Sequence, residues 1–422
     1  MILKSLRVIL LLILYILFHL VYLYGVSKYF SYEGYVTSGF KEEQLLYHSI
    51  IILILVFLQL FMKNAFYNLV YNIFLVMIVF GQSIVSMYIG SNILFYYIII
   101  PQLMLFILDI LDRNNFKIYR KQFNTENKYF NIFSLLLAII IIIPFLKNIG
   151  SINLANLLFA EIYDSRSDNK GSYGTIINYL YSSIARVIFP FLLIYFWLKK
   201  KYFSSLIIFG FIILLFLLNG AVKSILIGAF AAIVFYFFKY SIKNLGFVFG
   251  ITLMFILSLI ESIIFNSYKI ADYLRRIFYL PGYLFNIYHQ EFSGNLTYYG
   301  QTVLGTAFGY KFDDNIAAYI GEKVLGRPGM VANVGIFAEG YISLGFLGVI
   351  IASLLFILII FLLKSLDLKP QFFGLVFTYL YVINTAFIQT LFITHGLLFL
   401  LIFAYFFIPT NYNSRKQVNL NE

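Results

Sequence analysis

Residues 336–363 read IFAEGYISLGFLGVIIASLLFILIIFLL, apolar from end to end except for one acid, Glu339, and closed by Lys364. An uncharged run of about 18 residues or more has the length a helix needs to cross a bilayer. The segment therefore reads as a membrane span with a carboxylate at its start. Counting about 20 residues back from Lys364 puts the outer hydrocarbon boundary near Leu344. Glu339 then stands about one turn outside it, where ionisation is cheap and a helix N-terminus favours negative charge. Gly335, Gly340, Gly345 and Gly348 surround the acid. Each lowers helix propensity by up to about 1 kcal/mol relative to alanine. Membrane helices keep such residues where another backbone or a substrate comes close.

The same apolar pattern recurs along the chain. Of its 422 residues 62% are hydrophobic and only 11% charged, against about 25% charged in soluble domains. Twelve segments read as helices: 6–24, 45–62, 66–89, 93–111, 131–147, 176–198, 202–218, 221–238, 244–265, 336–363, 371–388 and 391–408. The first run follows Lys4 and Arg7 as a signal peptide would. No small-residue cleavage site follows, so it reads as a span. Alternating the loops gathers most of the lysines and arginines on one side, with few acids beside them (Asp109, Asp112, Glu126, Asp367, Glu422). The positive-inside rule makes that side cytoplasmic and places both termini there. The net charge of +12 then follows from membrane orientation and calls for no nucleic acid. There is no cysteine, which excludes disulfides and thiolate metal sites.

The expected architecture is an all-α integral membrane protein of about twelve transmembrane helices, in three parts. Residues 1–265 hold nine spans and an external loop at 148–175. Residues 266–335 form a large external loop between helices 9 and 10. Residues 336–422 hold three spans and a cytoplasmic tail. The large loop is rich in Tyr, Phe, Leu and Ile, which argues against disorder. An amphipathic helix is expected around Ile270–Tyr279, stopped by Pro281–Gly282.

Several polar residues stand out. Arg186 lies about 15 Å into its helix at 1.5 Å per residue. An arginine there must face the bundle interior or a wet cavity, since lipid exposure costs about 2.5–3.5 kcal/mol or more. Asn178, Ser182 and Arg186 share one helix face, which suits either a polar stripe that joins helices or the wall of a substrate cavity. Glu261 and Lys223 read as interfacial side chains with charged tips in water, and Lys223 also suits a phosphate at the membrane surface. Arg275 and Arg276 lie in an aromatic stretch of the large loop. Their planar forks match phosphate oxygens, although pairing with Asp272 or lipid headgroups accounts for them as well. Asp313 and Asp314 read as a solvated turn. His19, His48, His289 and His395 show no metal-ligand spacing, and no GxxxxGK[ST] phosphate loop occurs.

In order, RRIFYLPGYLFNIYHQEFS (275–293), NLTYYGQTVLGTAFGYKFDDNIAAYIGEKVLG (295–326) and ANVGIFAEGYISLGFLG (332–348) resemble the Wzy-type oligosaccharide repeat-unit polymerases of O-antigen and capsule synthesis. The resemblance covers about 266–350 and rests on Arg275, Arg276, Pro281 and Gly282, then Asn333, Gly335, Glu339, Tyr341, Gly345 and Gly348. It implies a fold similar to O-antigen ligases and the wider GT-C glycosyltransferases. It implies transfer of a glycan from undecaprenyl pyrophosphate onto a fresh lipid-linked unit, on the external face of a bacterial plasma membrane. The partners implied are lipid-linked oligosaccharides, the bilayer and a chain-length regulator. No metal or other cofactor is implied.

On this reading Arg276, Arg275 and Arg186 neutralise the leaving pyrophosphate, with Arg327, Arg166 and Lys223 behind them. Glu339 acts as general base or orients the acceptor hydroxyl. Asn333 and Tyr341 bond sugar hydroxyls, and Gly335 with the other glycines makes room for a sugar. Two competing readings are a lipid-linked oligosaccharide flippase and an O-antigen ligase with His289 as its loop histidine.

Overall fold

The computed structural model describes residues 2–89, 92–120, 128–152, 154, 156, 175–218, 223–312 and 315–410. Among these the chain is helical, with no strand beyond an isolated bridge between Leu368 and Thr410. Each of the twelve segments expected to be helical holds a helix. Among the described residues, seven helices are long and apolar enough to cross a membrane: Ile2–Glu33, Ala65–Ile89, Asn92–Leu111, Tyr129–Lys147, Tyr240–Ile264, Ile336–Ser365 and Ile388–Phe406. Ala185–Leu198, Tyr202–Leu218 and Pro370–Val382 are apolar but shorter.

The chain divides into two compact units. The first comprises Met1–Phe116, Lys239–Phe361 and Ile383–Ile388, and the second Lys117–Phe238, Leu362–Val382 and Gln389–Glu422. The large loop at 266–335 belongs wholly to the first. Its leading helix does not stop at Pro281–Gly282. It runs on from Lys269 to Phe292 through a π-helical stretch, Arg275–Tyr279, in which the Leu280 N–H reaches back to the Arg275 carbonyl. That wider winding lets a proline follow without the usual break. Phe278, Tyr279, Phe285 and Tyr288 are buried along it, and the Tyr279 hydroxyl donates to the Phe18 carbonyl at 2.8 Å.

Two carboxylates brace the entries to helices in this unit, although the 65–89 helix is capped by Asn64 itself, whose side chain accepts from the Phe66 and Tyr67 N–H groups at 2.9 and 3.4 Å. Asp109 accepts from the backbone N–H groups of Lys63 and Asn64 at 2.8 and 2.9 Å, just before the 65–89 helix. Glu261, expected at the interface with its charge in water, instead caps the 269–292 helix. It accepts from the Ser267 hydroxyl at 2.9 Å, Lys269 N–H at 3.0 Å and Ile270 N–H at 2.6 Å. The first N–H groups of a helix have no intrahelical acceptor and carry partial positive charge, so a carboxylate there satisfies both needs.

Three long helices expected to be continuous are broken. The 336–365 helix leaves helical geometry at Leu344 and Gly345, where Gly345 has φ 60°. That conformation favours glycine over any residue with a side chain. The 371–388 helix ends at Val382, and its last stretch unwinds. The 391–408 segment forms Ile388–Phe392 and Leu397–Phe406, with Gly396 left-handed at φ 79° between them.

Candidate functional site

Glu339 sits in the short arm 336–343 that precedes the break at Leu344–Gly345. This arm does not rise above the span. A Cβ added to Gly348 would lie 1.8 Å from the Gly340 carbonyl oxygen, and one on Gly340 would lie 2.4 Å from the Gly348 oxygen. In a straight helix those residues would be about 12 Å apart along the axis, so the chain folds back and packs the arm against the first turns of the span. Gly335 likewise touches backbone, since its Cβ would lie 2.6 Å from the Ile383 oxygen. The Ile336 N–H donates to that same oxygen at 3.2 Å. The glycines at 335, 340 and 348 thus admit the protein's own backbone, where room for a sugar was expected.

Fold-back also changes the setting of the acid. Glu339 was expected in water one turn above the span, yet it is wholly buried. One carboxylate oxygen accepts from the backbone N–H of Ile388, at the start of the short helix that follows the unwound stretch. The other accepts from the Gln301 side-chain amide at 3.4 Å. The first contact is the same capping role that Glu261 plays at the 269–292 helix.

Around the carboxylate the walls are aromatic and polar. Tyr288 donates to the Ala332 carbonyl at 2.8 Å. The phenolic oxygen of Tyr299 is buried and makes no hydrogen bond. Burial first, and then the charge of Glu339, push the Tyr299 phenol up to about 12. The segment carrying Tyr299 and Gln301 is pinned on the end of the arm. Thr297 and Tyr298 donate their N–H groups to the Ile342 and Ser343 carbonyls at 2.8 and 3.1 Å. Tyr298 and Tyr299 both take left-handed φ, 48° and 59°, a costly conformation for bulky residues.

Tyr341, two positions on, points away from Glu339 as helical spacing requires. It is buried, with its ring stacked on His289 at 4.7 Å and tilted to Tyr97 at 5.5 Å. His289 is half-buried, and loss of water lowers its pKa. Asn333 is exposed.

A second cluster gathers arginines. Arg275 pairs with Glu33 and, at 2.7 Å, with Asp272. Arg276 reaches Asp272 at 3.0 Å, and Arg327 reaches Glu33 at 3.4 Å. Three cations against two carboxylates leave one positive charge. The arginines differ in access: the Arg275 side chain is 6% exposed, Arg276 41% and Arg327 45%. Arg275 also lies over the rings of Phe30 at 4.3 Å and Tyr35 at 5.5 Å. Its partners hold its pKa above the usual range despite burial. Glu33 was not singled out in the sequence. Its role depends on the turn at Gly34 (φ 96°), packed against the Tyr283 hydroxyl.

This division predicts different outcomes for neighbouring substitutions. Arg275→Ala leaves two carboxylates without their buried cation and should destabilise the protein by about 3 kcal/mol. Arg276→Ala removes one half-exposed pair and should cost under about 1 kcal/mol. Thermal unfolding of the purified proteins checks this, and equal shifts would refute the distinction.

The structure thus brings Arg275, Arg276 and Arg327 together, but not against Glu339. On the shared helix, Arg276 precedes the Glu339 neighbour Tyr288 by 12 residues, roughly 18 Å along the axis. Arg186 lies in the second unit, buried, and donates to the Thr394 carbonyl at 3.1 Å in the break before the 397–406 helix. Arg166, Asp313 and Asp314 lie outside the described residues, as do the side chains of Asn178, Ser182 and Lys223. Among the described residues no three His, Asp or Glu side chains gather as a metal site requires. No family model, no curated protein and no solved structure matches the chain.

Proposed function

We propose that this chain is a twelve-span glycosyltransferase that polymerises lipid-linked oligosaccharide repeat units on the external face of the plasma membrane. The observation that carries the reading is the arginine cluster. Arg276 and Arg327 present half-exposed guanidinium groups from the large loop, fixed by Glu33 and Asp272 and with charge to spare. Such forks suit the oxygens of a lipid pyrophosphate.

The roughly 18 Å between Arg276 and the Glu339 neighbourhood is too long for both groups to act on one anomeric centre. It suits an acceptor instead. The acceptor's pyrophosphate lies at Arg276 and Arg327, and its distal sugar reaches Glu339. There the acceptor hydroxyl oxygen forms a bond to the anomeric carbon of the donor glycan. The bond from that carbon to the donor pyrophosphate breaks, its electron pair leaves on the phosphate oxygen, and Glu339 takes the hydroxyl proton. Glu339 is covered by Gln301 and Tyr299, so the segment that carries them must yield for the sugar to enter. The left-handed Tyr298–Tyr299 pair, which stores strain, supports a segment of that kind.

A flippase would need a polar route through the bundle. In the first unit, Arg7, Gln59, Asn68, Asn72 and Asn244 form one buried hydrogen-bonded group. Tyr15, His48 and Ser83 form another. On the 65–89 helix, Ile73 to Phe80 separate the two groups with eight consecutive buried apolar residues. The enzyme reading is tested by incubating the purified protein with labelled lipid-linked repeat units. A ladder of polymers without any added lipid-core acceptor is the expected result, and unchanged single units would refute it.

A further inference from the structure

The second unit carries an apolar groove unrelated to either cluster. It is formed where the helices at 175–198, 202–218 and 223–234 meet, and encloses about 920 Å³ including its open side. Leu193 and Ile194 form a buried floor, while Leu206, Ile233 and Phe237 are 64%, 39% and 48% exposed along its sides. Ser205, the one aliphatic hydroxyl in the lining, donates to the Leu193 carbonyl and leaves no polar hook inside. The groove thus fits a hydrocarbon chain.

One end is marked for a membrane surface. Trp197, the sole tryptophan of the chain, packs edge-on to Tyr202 at 5.4 Å and Tyr236 at 6.1 Å. Such rings favour the headgroup level of a bilayer. Lys199, Lys200 and Lys201 form the turn between Trp197 and Tyr202, and all three are exposed. The turn is a complete Schellman motif. The Lys201 N–H donates to the Phe196 carbonyl and the Lys200 N–H to the Trp197 carbonyl, with Lys200 left-handed at φ 58°. Glycine normally takes that position because a side chain strains it. Here a lysine holds it, directly beside the aromatic end of the groove.

We propose that this groove binds an anionic glycerophospholipid, with one acyl chain over Leu193 and Ile194 and the phosphate at Lys200 and Lys201. In the positive-inside topology the lipid belongs to the cytoplasmic leaflet. The site requires a membrane at the lysine-rich end and nothing of the transfer chemistry, so it stands or falls separately from the proposed function.

The test is a titration of the delipidated full chain in detergent, following thermal unfolding. Phosphatidylglycerol should raise the midpoint saturably, and phosphatidylcholine with the same acyl chains should need much higher concentrations. Each lysine near a lipid headgroup is worth about a five-fold change in affinity, so Lys200→Gln with Lys201→Gln should weaken phosphatidylglycerol about 25-fold. Leu206→Trp, at an exposed position that tolerates bulk, should weaken both lipids by filling the groove. Equal affinity for the two lipids, an unaffected lysine double variant or an unaffected Leu206→Trp protein would each overturn the proposal. So would tighter binding of undecaprenyl phosphate than of phosphatidylglycerol, which would assign the groove to the isoprenoid carrier.

Discussion

Gly348→Ala, a change of one methyl group, is expected to prevent this protein from folding. The added Cβ would lie 1.8 Å from the Gly340 carbonyl oxygen and 2.5 Å from its carbon. These are backbone atoms on the arm folded against the span, so no side-chain rotation relieves the clash. Separating the two strands of the reversal would pull the Glu339 carboxylate from Ile388 and the Gly335 backbone from Ile383 as well. Overpacking in ordinary cores costs about 1–3 kcal/mol, and a clash that only backbone movement can relieve should exceed that range. The control is Gly250→Ala, on the 240–264 helix, where an added Cβ meets no atom within 4 Å. There alanine should be neutral or stabilise by up to about 1 kcal/mol. Size-exclusion profiles and the yield of monodisperse protein report the outcome. A normal yield of Gly348→Ala would show that the arm does not fold back.

Glu339→Gln is expected to do the reverse, keeping the fold and removing activity. Glutamine has nearly the same shape, and its carbonyl oxygen still accepts the Ile388 N–H. Removing charge from a wholly buried position relieves desolvation, so thermal unfolding should move little. Loss of a general base costs about 10²–10⁴ in rate, read as the initial rate of polymer formation from labelled lipid-linked units. A stable Gln protein polymerising at the wild-type rate would leave Glu339 as a helix cap alone. Glu339→Ala separates the roles in another way. It leaves the buried Ile388 N–H unpaired, at about 1–3 kcal/mol, and so should lower stability as well as activity.

The helix cap and the proposed base draw on the same property of Glu339, a buried carboxylate that accepts a proton or an N–H. Glu261 and Glu339 each place a carboxylate at the start of a helix, one across a turn and one remote in sequence. Nothing in FAEGYISL says which helix Glu339 will cap, because the partner, Ile388, lies 49 residues further on. Glu33 was missed in the sequence for the same reason. It is an ordinary surface acid until the 269–292 helix brings Arg275 to it from 242 residues away.

The helical class and the places of twelve helices were legible from apolar runs alone, since a run of that length has few ways to satisfy its backbone in lipid except as helix. The arginine pair in the large loop was legible too, as charge in an aromatic setting. Propensity and periodicity describe one segment at a time, and the breaks came from elsewhere. In the sequence Gly345 read only as a place of close approach within a straight span, whereas its left-handed φ and the contacts of Gly340 with Gly348 and of Gly335 with Ile383 make a reversal there. Pro281 announced a helix end, and the π-helical winding before it removed that end. Apolar spacing and the placement of charge were enough to make this chain helical and apolar, with its charges at the turns. Packing between distant segments buries Glu339 and Arg275, leaves Arg276 and Arg327 half-exposed, and sets the arginines apart from the acid. The physical reason is that burial and pairing depend on close backbone approach between distant segments, and a glycine in sequence shows only where such an approach is permitted.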